Sequence, residues 1–195
     1  MLSDQSFRDI VISIPENAEI LNGLDRLRLP DCYLTAGCLF QPIWNRKFNK
    51  PDLWGVKDFD VFYFDEDLSW DAENEVIERA EERLGALSDR VEIRNQARVH
   101  LWYEERFGSP IEPLLTSRNG IDQFLIACTC VGIEVSSRDL YAPNGMGDLS
   151  NGILRMNGNN PKPDLFTKKA RDYQSRWPWL SVMDAAPTLV PRLTD

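Results

Sequence analysis

The sequence predicts an α/β fold in which short strands alternate with amphipathic helices in one domain. Three segments carry that prediction. Residues 32–36 form an apolar run closed by Gly37. Residues 58–65 centre on aromatic and β-branched residues, and residues 91–95 alternate apolar and polar side chains. Helix-periodic stretches separate them, the pattern of strands and helices packed in layers around one core.

The elements follow in order. Ser13, Pro15 and Glu16 resemble a capping box with proline in the first turn. They predict a helix with Ile20, Leu21, Leu24 and Leu27 on one face, stopped by Pro30. A weaker helical stretch precedes it over residues 7–12. After the strand at 32–36, Phe40, Ile43, Trp44 and Phe48 recur at helical spacing, so strand, glycine turn and helix follow directly. Residues 49–55, with Pro51 and Gly55, read as a loop. Ser69 is placed to cap a helix with Ala72, Val76, Ile77, Ala80 and Leu84 on one face. Residues 96–107 favour helix. Ser117 is a candidate cap for a helix reaching Ala127. Residues 132–135 and 140–142 read as a hairpin, and the Gly- and Asn-rich stretch 144–158 as a loop. A last helix over 164–177 turns Phe166, Ala170, Tyr173 and Trp177 inward. The domain is expected to span residues 1–180, with 181–195 as a loose tail.

Composition narrows the function. The net charge is −9. Non-specific binding to a phosphate backbone draws its free energy from lysine and arginine releasing counterions, so a long nucleic acid is not the expected partner. A nucleotide stays open, because a metal ion can bridge acidic protein and acidic phosphate. The four cysteines, Cys32, Cys38, Cys128 and Cys130, lack C-x-x-C spacing, and His100 is the one histidine. They read as small buried hydrophobes, with free thiols suited to a reducing compartment, and His100 as a hydrogen-bonded structural residue. The first eight residues have no long apolar region, and no apolar run reaches the length of a membrane span. The expected location is the cytoplasm, with no membrane partner.

The sharpest feature is Asp58-Phe59-Asp60. Side chains alternate across a strand, so both carboxylates point to one face and Phe59 and Val61 to the other. Two adjacent carboxylates repel, and a divalent cation between them removes that repulsion. Mg²⁺ binds through one or two carboxylates plus substrate phosphate oxygens, which an open pair allows. The alternative is a solvated pair at a frayed strand end. Context favours the metal: the helix N-terminus at Gly37 offers backbone N–H groups to phosphate, and Glu92 adds a third acidic strand residue.

The segments LPDCYLTAGCLFQPIWN, KDFDVFYFD, RNQARVHLWY and YAPNGMGDLSNGILRMN, in that order, resemble a bacterial family of nucleotidyltransferase-like proteins of unassigned substrate. That family lies within the DNA polymerase β-type nucleotidyltransferase superfamily. The resemblance covers residues 20–180. It implies a small mixed sheet flanked by helices, the polymerase β-type fold. It implies that Asp58 and Asp60 hold Mg²⁺ (or Mn²⁺) and that a third carboxylate, mapped to Glu92, completes the catalytic and metal set. The phosphate-binding turn common in the superfamily is Gly-Gly or Gly-Ser; here it is Gly37-Cys38, without the hydroxyl.

Other residues have two readings. Asn95, Gln96 and Arg98 sit beside an apolar stretch. Arg98 as a phosphate ligand competes with a structural ion pair. Lys162, Lys168, Lys169, Arg171 and Arg176 make a basic helix in an acidic chain, facing either an anionic partner or solvent. Trp44, Trp102 and Trp177 fall at core positions. Two functions follow: an Mg²⁺-dependent enzyme moving a nucleotidyl group from a nucleoside triphosphate to an unknown acceptor, or a catalytically silent nucleotide-binding or regulatory module of the same fold.

Overall fold

A computed structural model describes residues 2–183. The chain runs α1 (Asp4–Ile12), α2 (Pro15–Asp25), β1 (Tyr33–Thr35), α3 (Gly37–Lys47), β2 (Phe59–Tyr63), α4 (Trp70–Leu84) and β3 (Val91–Asn95). It continues through α5 (Tyr103–Phe107), α6 (Ser117–Ile121), β4 (Gly132–Glu134), β5 (Leu140–Tyr141), α7 (Gly147–Asn151), β6 (Ile153–Arg155), α8 (Pro163–Arg176) and β7 (Ser181–Met183). The five-stranded sheet has the order β3-β2-β1-β4-β5. Only β2 and β3 pair in parallel; the other neighbours are antiparallel. This is the expected mixed sheet flanked by helices, and the three segments that predicted it are its adjacent strands.

Alternation along the strands sorts the two faces. Leu34, Phe59, Val61, Tyr63, Ile93 and Ile133 are buried in the main core together with Ile20, Leu21 and Leu24 of α2 and Ala80 and Leu84 of α4. Burying a phenylalanine or a branched aliphatic side chain contributes about 1.5–3 kcal/mol each, so this face holds most of the sheet's stability. On the other face Tyr33 packs with Ile121 and Cys130, against which Phe62, Phe124 and Tyr141 lie. Asp60 and Glu92 share that second face, since Asp60 is the register partner of Glu92 on β3 and of Thr35 on β1.

Long-range polar contacts set the helix positions. Pro42 lies inside α3, and having no N–H it cannot donate to the carbonyl of Cys38 one turn back. The buried Asn17 of α2 supplies that donor, its Nδ2 reaching the Cys38 carbonyl at 3.1 Å and that of Val11 at 2.9 Å. At the far end of α3, Asn45 accepts from Trp177 Nε1 at 2.8 Å and donates to the carbonyls of Asp52 and Trp54. The rings of Trp44 and Trp177 meet edge-on at 5.3 Å, and Tyr173 lies 5.4 Å from Trp44. These contacts lock α8 against α3 and the 49–55 loop.

Several local expectations change. Ser13 does not cap α2. Its hydroxyl donates back to the Ile10 carbonyl at 2.7 Å, and Ile14 is the N-cap because Pro15 takes the first helical position. α2 ends at Asp25, before Pro30. Ser117 opens α6 rather than capping it; Thr116 caps, accepting from the Asn119 amide. That helix ends at Ile121, because Asp122 to Phe124 turn away, and a separate 3₁₀ turn covers Ala127–Thr129. Residues 96–107 split into a 3₁₀ turn over Gln96–Leu101 and α5. The loop expected at 144–158 contains α7 and β6. The start of the expected tail is not loose: β7 pairs in parallel with β6, and only residues 184–195 of that tail lie outside the described residues.

Candidate active site

The β1–α3 turn is the first component. Ala36 has φ 62° and ψ −137°, a backbone region in which a Cβ is strained, at roughly 1–3 kcal/mol. The next residue opens α3, whose N-terminus has no side-chain cap. The Leu39 amide donates to the Ala36 carbonyl at 3.1 Å, which leaves the Gly37 and Cys38 N–H groups to end the helix dipole, the arrangement that binds phosphate. A Cβ on Gly37 would lie 2.5 Å from Gln41 Nε2, so a larger residue there would displace the end of that side chain. Cys38 turns away. Its buried Sγ donates to the Thr35 carbonyl at 3.2 Å, and burial, with the fields of Asp60 and Asp58, holds the thiol protonated. Only the backbone of Gly37-Cys38 is available to a phosphate.

The carboxylates are the second component. Asp58 stands immediately before β2, and Asp60 within it. Burial first, then the charges of Asp58 and Glu92, raise Asp60 to about 7, while Lys169 and Arg94 pull it down. Asp60 and Glu92 thus share one face by register, and Asp58 lies close enough to act on Asp60. They do not form a closed ligand cluster: among the described residues no three His, Cys, Asp or Glu side chains are grouped to hold a metal. Glu92 leans instead toward Arg94 at 4.0 Å and is half exposed. The donor set fits a hard divalent cation held by two carboxylates and completed by substrate oxygens, since a cation would remove the repulsion that raises Asp60.

The cations are the third component. Arg98 is not at the site. It forms a salt bridge with Glu73 of α4, which also accepts from the Asn95 amide at 2.8 Å. Asn95 serves the backbone as well, binding Asp65 and Ala97 through its amide. Arg94 and Lys169 stand where Arg98 was expected. Arg94 shares a face with Glu92 two residues away, a period-2 signal that sequence reading could have used. Lys169 comes from α8, one turn before Tyr173, and that placement depends on the Trp44–Trp177 packing.

A cavity of about 390 Å³ opens from this site. Gly37 and Asp58 line one part of it, and Arg94, Lys169, Phe62 and Phe124 continue it. Gln96 is in the wall. Trp102, placed in the core by its sequence context, is only partly buried and lines the same cavity. His100 keeps a buried Nδ1 with no hydrogen-bond partner among the described residues, so it is not the hydrogen-bonded residue expected. All four cysteines are free and buried.

An uncapped helix N-terminus thus lies beside a carboxylate pair on the β1-β2-β3 part of the sheet. Residues 22–182 match the model of a nucleotidyltransferase family, and the chain belongs to that family. A solved structure described as an NMR structure that reveals a CCA-adding enzyme head domain superposes with a TM-score of 0.73 at 23% identity, over 93% of this chain and 96% of the other. That likeness is one of fold. No curated protein matches the chain in sequence. Family and fold together make the protein a nucleotidyltransferase. Among the described residues no helix is long and apolar enough to cross a membrane.

Proposed function

We propose that the protein transfers a nucleotidyl group from a nucleoside triphosphate to an acceptor hydroxyl, with Mg²⁺ or Mn²⁺ held by Asp58 and Asp60. The observation that carries this reading is the raised Asp60 carboxyl, buried beside Asp58 and Glu92 and opposite Thr35, the last residue of β1 before the uncapped α3. The cation supplies charge neutralisation at the phosphate being transferred. The backbone N–H groups of Gly37 and Cys38 bind a phosphate. Arg94 and Lys169 offset its remaining charge and replace Arg98 in that role. Glu92, level with Asp60 on the neighbouring strand, accepts the proton of the attacking hydroxyl, or joins the metal once substrate is bound. Four reduced, buried cysteines favour a cytoplasmic setting.

The second reading, a silent nucleotide-binding or regulatory module, has one observation in its favour: Cys38 directs its thiol into the protein and offers no hydroxyl to a phosphate. The deciding experiment is pyrophosphate release with each nucleoside triphosphate and Mg²⁺, across small-molecule, RNA and protein acceptors. Turnover that falls at least about a thousandfold in Asp58→Asn/Asp60→Asn, some 4 kcal/mol of barrier, supports the enzyme. An equally active double variant sinks it. A Tm that rises with triphosphate and Mg²⁺, without turnover on any acceptor, selects the module.

A further inference from the structure

The lining of the cavity is more basic than the chain as a whole. The chain carries −9, yet the charged residues lining the cavity are Arg94, Lys162 and Lys169 against Asp58, with Asp60 and Glu92 beside Asp58 at one end only. The cations are also separated. Lys169 and Arg94 act on Asp60, at the carboxylate end. Lys162 is shared with a second, more open cavity whose lining includes neither Gly37 nor Asp58, which places it at the opposite end; Glu112 and Asp122 line that second cavity but not the first. Its ammonium donates to the Tyr103 hydroxyl at 2.9 Å and lies 4.8 Å from that ring, and no carboxylate pairs with it among the described residues. Between the two ends the wall is largely apolar, with Phe40, Phe62, Phe124, Leu125 and Val99.

From this arrangement we infer that the acceptor is a small amphiphilic hydroxy acid, its hydroxyl at the Asp58 end, its apolar body between the phenylalanines and its anionic group on Lys162. A volume of about 390 Å³ is within the ordinary range for a small-molecule site, roughly 300–1,000 Å³. A nucleobase presents no anion at its far end and leaves Lys162 without a ligand. The inference rests on the nucleotidyl-transfer reading for its chemical step. In that step the acceptor oxygen forms a bond to the α-phosphorus and its proton leaves to Glu92 or water. The bond from the α-phosphorus to the bridging oxygen breaks, and pyrophosphate departs with the electron pair. The product is the phosphodiester of the hydroxy acid and the nucleoside.

Binding is testable without nucleotide or metal, so it separates from the transfer reading. Isothermal titration of the full chain in EDTA would use 3-(4-hydroxyphenyl)propanoate and 10-hydroxydecanoate as acids. The propanamide of the former serves as neutral control and tyramine as cationic control. At least one acid should bind about tenfold more tightly than the amide, and tyramine more weakly than either. Lys162→Met should abolish the preference for acid over amide, and Lys162→Arg should keep it. Equal binding of acid and amide to the wild type overturns the inference, as does binding of neither acid at millimolar concentration. Displacement of a bound acid by adenosine or guanosine at equal affinity also overturns it, assigning the cavity to the donor's base. If the acids bind but no triphosphate is turned over with any acceptor, the transfer reading fails and the cavity assignment stands.

Discussion

The two faces of the central sheet are made by the same strands and do opposite things. On β2, Phe59, Val61 and Tyr63 enter the main core between α2 and α4, while Asp60, one residue out of phase, is held on a face where its charge is disfavoured. One face draws stability from apolar burial. The other gives stability up, keeping like charges close together and a strained Ala36 beside them. The lesson is that a period of two lets five residues serve stability and chemistry independently, provided the register is fixed by the apolar face.

The largest effect should come from the apolar face. Phe59→Ala removes a fully buried ring and should cost about 3–5 kcal/mol, read as a lower denaturation midpoint at unchanged slope. A loss below about 1 kcal/mol would mean that this face is not where the stability lies.

Asp60→Asn should act in the reverse direction. The carboxyl is raised from 3.8 to about 7 in the native state, so between those values the folded protein holds a proton that the unfolded chain has released. Stability therefore falls as pH rises through that window, and the deficit is complete above about pH 7. In EDTA at pH 8 the variant should be more stable than wild type by roughly 2–4 kcal/mol, converging on it below about pH 4. Chemical denaturation across pH tests this, and a variant less stable at every pH would break the contrast between faces. Saturating Mg²⁺ should narrow the gap by stabilising only the wild type.

A smaller effect belongs to the contact that seats α3. Asn17→Ala leaves the Cys38 and Val11 carbonyls without their buried donor and should cost about 1–3 kcal/mol. Faster amide exchange in the first turns of α3 than in α4 would locate the loss there. The smallest effect is at Ala36. Glycine tolerates its positive φ, so Ala36→Gly should change stability by no more than about 1 kcal/mol and toward gain, measured by thermal unfolding. A loss of several kcal/mol would show that the strain lies elsewhere.

Local features of the site were legible because they are written in short-range chemistry. The D-x-D spacing puts Asp58 and Asp60 on one face wherever that strand is paired. Ser69 caps α4 through a contact three residues on, its Oγ accepting from the Ala72 amide at 3.2 Å. The Ser13 signal misled because Pro15 competes for the same helix start, a choice made by backbone geometry rather than side-chain preference. The cations were harder. Arg98 and Arg94 have the same chemistry in sequence, and they part only because Glu73, twenty-five residues before Arg98, presents its carboxylate on the other side of the sheet.

By itself the sequence determined the alternation of strands and helices, the adjacency of its three predicted strands, the carboxylate pair and the glycine turn before α3. These depend on periodicity and on hydrophobic runs, which act within a few residues. Only the tertiary structure decided that Lys169 and Arg94 face the carboxylates, that Arg98 is consumed by Glu73, and that Lys162 closes the far end of an apolar cavity. Those outcomes come from packing between segments distant in the chain, above all the Trp44–Trp177 contact that seats α8 on α3. The free energy of such contacts depends on shapes that exist only once both partners are folded.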